Sequence, residues 1–224
     1  MADDSRKARL NDFQGGGAID ERLRVGSSGL VGTLADLLPN ERRYVESSVP
    51  SRQIEFATGR LLARKLLRDL GYPEMSIERD QDRVPVWPSG VVGSISHTDS
   101  ACLVAVSADA SLRGVGVDVE VSETRTQRFL ERITSAAERA RFADPSAALR
   151  AVTKIFSVKE AVYKACFPEL REHWGFRDVD VTLDSASHRF RAVVPASAGG
   201  AIEGVWRERD ARIWALACWE RRSG

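Results

Sequence analysis

Cysteine is scarce in this 224-residue chain: Cys102, Cys166 and Cys218 stand far apart, each in an apolar run. That spacing excludes a disulfide framework and a zinc site, and it suits buried thiols in a reducing cytoplasm. No apolar run approaches the roughly 20 residues that span a bilayer, and the polar N-terminus lacks a signal-peptide core, so no membrane partner is expected. An excess of one charge is missing too. Lys and Arg number 33 against 32 Asp and Glu, a formal net charge of +1. No global field draws such a chain to nucleic acid. What remains is ordinary: 43% hydrophobic, 29% charged, and long enough for one large domain or two small ones sharing a core.

The most informative stretch is Gly114-Val115-Gly116-Val117-Asp118-Val119-Glu120. Its valines recur with the period of two of a strand, which puts Val115, Val117, Val119 and Val121 on one face. Gly116, Asp118 and Glu120 share the other. Two carboxylates that close repel each other, and burial sharpens the conflict. A hard divalent cation such as Mg²⁺ would resolve it, especially beside phosphate oxygens. From this stretch alone a solvated edge strand stands as the equal alternative.

Residues 1–29, with Gly15-Gly16-Gly17 and Gly26-Ser27-Ser28-Gly29, read as a flexible tail. A short helix is expected over 41–48 and a longer one over about 51–70, closed by Gly71 and Pro73. Arg60, Arg64 and Arg68 fall four apart on the long helix, the pattern of a solvated cationic face. Short strands are expected at 76–79, 91–96 and 101–107. Two prolines make 84–90 a loop or edge. His97 lies in a polar loop between two buried strands, where contact with a ligand becomes a fair alternative to plain exposure. Beyond the acidic strand, a short helix is expected over 127–132. Ser135-Ala136-Ala137-Glu138 is a capping box, and Asp144-Pro145 is an N-cap and first turn. The helix that follows is expected to end at Cys166, because Phe167 precedes Pro168. The remainder reads as strands at 179–183, 190–194, 202–206 and 213–219, the last two joined as a hairpin.

The two long helices echo each other at an offset of 100 residues: Phe56 falls on Phe156, Arg60 on Glu160, Arg64 on Lys164. Two similar α/β halves about a pseudo-two-fold axis, an α+β fold divided into 30–114 and 115–224, would explain the echo; chance agreement between two amphipathic helices is the alternative. A crevice between such halves is a frequent place for a ligand.

Phe156-Ser157-Val158-Lys159-Glu160-Ala161-Val162-Tyr163-Lys164 adds a third carboxylate and a cation. Glu160 and Lys164 share a helix face, which taken alone is the arrangement of a weak surface pair. With Gly116-Val117-Asp118-Val119-Glu120, this helix resembles the 4′-phosphopantetheinyl transferases of the monomeric, two-half kind. That family carries G-[IV]-D-x-E on a strand and [FW]-[ST]-x-K-E-[AS]-x-x-K on a helix. Arg52-Gln53-Ile54-Glu55-Phe56-Ala57-Thr58-Gly59-Arg60 is similar to the family's R-x-x-E-F-x-x-G-R. Trp87-Pro88-Ser89-Gly90 with Gly93-Ser94-Ile95-Ser96-His97 is similar to its W-P-x-G-x-x-G-S-x-[ST]-H. The resemblance covers about residues 41–169.

The resemblance implies transfer of the 4′-phosphopantetheine group of coenzyme A (CoA) to a serine of an apo acyl or peptidyl carrier protein, with release of adenosine 3′,5′-bisphosphate. It implies Mg²⁺, or Mn²⁺ in its place, held by Asp118, Glu120 and Glu160. Glu160 or a metal-bound water takes the serine proton. Lys164 pairs with the diphosphate, and Lys159 contacts phosphate or assists the leaving group. Arg52, Arg60, Arg83, Ser96 and His97 bind the nucleotide end, so that 30–114 holds the nucleotide and 115–224 the metal and catalytic residues. A cytoplasmic monomer is expected. Two competitors stand beside this: a non-catalytic CoA- or nucleotide-binding protein on the same fold, and a helical nucleic-acid binder using Arg60, Arg64, Lys65 and Arg68.

Overall fold

The computed structural model describes residues 20–221. They form two compact units that meet between Ala110 and Ser111, a few residues before the expected division. The fold class is α+β, with long helices packed on antiparallel sheets.

In the first unit, β3 (Cys102–Ser107) is buried along its whole length and is the central strand. β2 (Val92–His97) and β1 (Arg24–Ser28) flank it, both antiparallel. β1 corrects the expected 1–29 tail, whose first 19 residues lie outside the described range. Its Gly-Ser-Ser composition looks like a linker but serves packing. A Cβ on Gly26 would stand 2.9 Å from Cδ1 of Leu62, so the glycine makes room for the helix.

That helix is α2 (Pro50–Asp69), preceded by the single turn of α1 (Pro39–Arg42). Pro50 opens α2 where a missing N–H costs nothing. Gly71, at φ +87°, closes it, and the Tyr72 N–H donates to the Leu67 carbonyl at 3.0 Å. Leu62, Ala63, Leu66 and Leu67 meet Cys102, Val104 and Val106 in the unit's core. The strand expected at 76–79 is reduced to one bridge between Arg79 and Pro85. Side chains have taken its backbone groups: Glu41 accepts from the Ile77 N–H at 2.9 Å, and Arg60 donates to the Ile77 carbonyl at 2.6 Å.

The second unit carries α3 (Gln127–Ile133), α4 (Ala136–Arg139) and α5 (Pro145–Leu170). Its sheet has the order β4 (Leu112–Val121), β8 (Arg212–Glu220), β7 (Ala201–Arg209), β6 (Arg189–Val193), β5 (Asp180–Asp184), antiparallel throughout. Both caps read from sequence are present. Ser135 accepts from the Glu138 N–H at 3.0 Å, and Asp144 from the Ala147 N–H at 2.8 Å.

α5 runs past its expected end at Cys166, through Pro168. A proline in the last turn removes one backbone bond and leaves the rest of the helix intact. Arg171, at φ 56°, then ends the helix with its N–H on the Phe167 carbonyl at 2.9 Å. α5 lies directly on β4. A Cβ on Gly114 would stand 2.0 Å from the Ala165 carbonyl oxygen, and one on Gly116 1.8 Å from that of Ala161. Val152, Ile155, Val158 and Val162 build the core with Phe190, Ile202, Trp206 and Trp219 of the sheet.

Candidate active site

The contact at Gly116 decides what faces the acidic strand. Gly116, Asp118 and Glu120 share one face of β4, and α5 rests on that face at Ala161, the neighbour of Glu160. The helix therefore brings Glu160, and Lys164 one turn later, beside the strand's carboxylates. Asp118 is 2% exposed, and its Oδ1 accepts from Lys164 Nζ at 2.6 Å. Lys164 thus reaches across to the strand.

Burial pushes the Glu120 carboxyl up to about 7; Asp118 and Glu160 add to the rise, and Arg125 and Lys164 oppose it. Burial also holds Glu160 above the usual carboxylate range, with Lys164 pulling down and Asp118 pushing up. Each shift is the mark of negative charge confined in a half-dry place. Arg125 Nη2 stands 3.4 Å from Glu120 Oε2.

Among the described residues, no three His, Cys, Asp or Glu side chains close into a finished ligand cage. Mg²⁺ does not require one, since it takes one or two carboxylates and completes its shell with water and substrate phosphates. Crowded carboxylates with raised proton affinity fit such a cation. An open pocket lies against Glu160, lined by Tyr163, Trp174, Gly175, Phe176, Val179 and Lys159. Its aromatic residues carry no sequence signal of a site beyond ordinary core composition.

Lys159 stands apart from the carboxylates. It is 2% exposed, and Nζ donates to the Ile133 carbonyl at 2.9 Å, to Glu138 Oε2 at 2.8 Å and to the Phe176 carbonyl at 2.7 Å. An ammonium has three donors, and all three are committed within the protein.

In the first unit, Arg52, Arg60, Arg83 and His97 line one pocket, together with Glu55, Phe56, Gly59, Arg79, Pro85 and Ile95. Arg52 Nη1 lies 2.8 Å from His97 Nε2 and 3.2 Å from Glu55 Oε2. His97 Nδ1 is 3.5 Å from the same carboxylate. Arg60 is held over the Phe56 ring at 4.2 Å while its Nε bonds Ile77. Burial lowers its pKa to about 10, so it stays charged at neutral pH. The pocket is therefore cationic, with one carboxylate inside it. Glu55 and Arg79 escaped the sequence reading as site residues; Glu55 lies within the quoted R-x-x-E-F motif, whereas Arg79 ends the stretch expected as a strand at 76–79.

Ser96 does not line this pocket. Residues of a strand alternate faces, so His97 and Ile95 share a side that Ser96 leaves. The supposed solvated stripe on α2 is also corrected. Arg60 and Arg64 are each 4% exposed, and Arg64 is paired with buried Glu41; of the three, Arg68 alone is exposed. A nucleic-acid surface built on that stripe loses two of its four cations.

Comparison with known proteins agrees with these motifs. Residues 40–107 match the family model of the 4′-phosphopantetheinyl transferase N-terminal domain, and residues 114–216 that of the 4′-phosphopantetheinyl transferase superfamily. The chain is 32% identical to the 4′-phosphopantetheinyl transferase Npt of Nocardia iowensis, over 65% of this chain and 66% of that protein. It is 36% identical to the 4′-phosphopantetheinyl transferase PptT of Mycobacterium tuberculosis, over 67% and 66%. The match thus spans just under two thirds of each of these two proteins. Enterobactin synthase component D of Salmonella typhimurium is 31% identical over 80% of this chain and 76% of its own length. On these matches, covering both units, the chain belongs to the 4′-phosphopantetheinyl transferase superfamily.

Proposed function

We propose that this protein transfers the 4′-phosphopantetheine group of CoA to a serine hydroxyl of an apo acyl or peptidyl carrier protein. The observation that carries the reading is the group of Asp118, Glu120 and Glu160 around Lys164, where the Glu120 carboxyl is pushed up to about 7. Phosphoryl transfer asks a protein mainly to position groups and to neutralise charge, and this cluster supplies both. Asp118, Glu120 and Glu160 would offer Mg²⁺ their carboxylate oxygens, and the cation would supply neutralisation of diphosphate charge. Lys164 moves between the Asp118 carboxylate and a phosphate oxygen.

Glu160 accepts the serine proton, and its raised proton affinity suits that task. The serine oxygen bonds to the phosphorus carrying pantetheine. The bond from that phosphorus to the bridging oxygen breaks, and adenosine 3′,5′-bisphosphate leaves. Arg52, Arg60, Arg83 and His97 bind the nucleotide end through its 3′-phosphate, while Glu55 keeps Arg52 in place. The half-buried Tyr163 and Trp174 give the pantetheine arm an apolar wall beside Glu160.

Incubation with CoA, Mg²⁺ and a panel of apo carrier proteins tests this reading by intact mass. The expected result is the gain of one phosphopantetheine on at least one carrier, abolished by chelator. Calorimetric binding of CoA with no gain on any carrier would replace it with the non-catalytic CoA-binding reading.

A further inference from the structure

One polar device occurs in both units. In the second, Glu138 is the third residue of the single-turn α4 and is 1% exposed. Its Oε2 accepts from the Ser135 N–H at 2.8 Å and from Lys159 at 2.8 Å, and its Oε1 from the Val181 N–H at 2.8 Å. In the first unit, Glu41 is the third residue of the single-turn α1 and is wholly buried. Its Oε2 accepts from the Leu38 N–H at 3.0 Å and from Arg64, and its Oε1 from the Ile77 N–H at 2.9 Å.

Each glutamate thus binds its own N-cap, one cation of the following long helix, and one amide of the segment after that helix. Each cation also donates to backbone: Arg64 to the Asp36 carbonyl at 2.6 Å, Lys159 to those of Ile133 and Phe176. The role of Arg64 is therefore that of Lys159, 95 residues on, not that of Lys164 as the sequence offset of 100 suggested.

A buried ion pair contributes little net stability compared with apolar packing of the same volume, so its recurrence calls for another reason. Position supplies one. Lys159 adjoins Glu160 in α5, and its acceptor Phe176 lines the pocket beside Glu160. Arg64 lies one turn from Arg60, and Ile77, held by Glu41, gives its carbonyl to Arg60. We propose that Lys159 is a positioning residue: with Glu138 it forms a buried clamp that fixes the roll of α5, and so the aim of Glu160, its ammonium bonding within the protein and not to a CoA phosphate. To reach a phosphate, the ammonium would have to leave the buried Glu138 carboxylate with only its two backbone N–H donors and without the cation it is paired with. This inference rests on the transferase reading for its kinetic consequence, and on the hydrogen bonds alone for the clamp.

The test compares wild type, Lys159→Met, Glu138→Gln, the double variant and Lys159→Arg, at a temperature where circular dichroism shows each folded. Transfer kinetics, carrier-free CoA binding by calorimetry, and hydrogen exchange of the peptide containing Val181 are measured. Lys159→Met should lower kcat by about tenfold or more while the Kd for CoA stays within about twofold. The double variant should be no worse than the worse single one, because the pair acts as a unit. Lys159→Arg should restore most of kcat, since Arg64 fills the same role in the first unit. A loss of CoA affinity on Lys159→Met that adds fully to the effect of Glu138→Gln would make Lys159 a substrate contact and overturn the proposal. Unchanged kcat would overturn it as well. Exchange needs no turnover: protection at Val181 should fall in both single variants and return in Lys159→Arg, and unchanged protection removes the clamp. A wild type that transfers nothing removes the transferase reading separately. If Lys159→Met does not fold, Lys159→Arg and the double variant carry the same comparison.

Discussion

A general base must hold its proton neither too weakly nor too firmly at working pH, and burial moves the proposed base Glu160 up from the usual carboxylate range. Burial raises its proton affinity, and Lys164, one turn on, limits the rise. Glu160→Gln keeps the volume and a carbonyl oxygen but removes the basic site and one negative charge. Transfer should fall by about 10²–10⁴-fold, the usual worth of a positioned base. If the cationic pocket of the first unit takes the nucleotide end as proposed, CoA affinity should stay within severalfold. Single-turnover transfer and calorimetry measure the two quantities; a variant with wild-type kcat removes Glu160 from proton transfer. The same pairing of types has a different meaning at Lys159. Its bonds to Glu138 and two carbonyls are inside the protein, so neighbours in one motif, Lys159 and Glu160, do different work.

Among elements, the close seat of α5 on β4 makes the site, and it depends on a missing side chain. At Gly116 an added Cβ would meet the Ala161 carbonyl oxygen at 1.8 Å and the Ala165 nitrogen at 2.6 Å. Both are backbone atoms of a long helix and cannot turn aside. Gly116→Ala should therefore lift α5 from the strand, at a cost of about 1–3 kcal/mol of overpacking or more. Glu160 and Lys164 move with it, so activity should drop further than the loss of folded protein explains. Chemical denaturation and kcat on the folded fraction check this; a variant with unchanged midpoint and kcat would mean that the helix does not rest there.

Much of this was legible in the sequence. The valine alternation placed β4, the capping box placed α4, and Asp144-Pro145 placed the start of α5. Periodicity and caps are local, and local chemistry survives folding. Apart from the end of α5, where Pro168 sits inside the last turn, the failures share one cause: long-range partners. Nothing near Arg64 announces Glu41, 23 residues away, and nothing near Lys159 announces Glu138. β1 looked like a linker because its glycine answers to Leu62, a residue far along the chain.

For the molecule as a whole, charge is nearly balanced, so its response to pH is set by local clusters rather than by net repulsion. No described helix is long and apolar enough to cross a membrane. Glu120 is the group to follow. Its folded pKa is raised to about 7, above the unfolded value of about 4.3. Between those values the folded state binds more protons than the unfolded one, so stability falls as pH rises through that window. The raised Glu160 acts in the same direction. Carboxylates with lowered pKa, such as Asp20 and Glu208, act oppositely but only in acid, below the unfolded value.

The metal-free protein should thus lose thermal stability from about pH 5 to about pH 8. Millimolar Mg²⁺ should restore more at the upper end, because a cation competes with the proton for the same oxygens. Histidines also titrate in this range, and Glu120→Gln separates them: the difference between its Tm and that of wild type should carry the slope. Metal-free melting curves whose difference is flat over the window would show that Glu120 ionises as freely in the fold as outside it. The carboxylate crowding on which the metal assignment stands would then be absent.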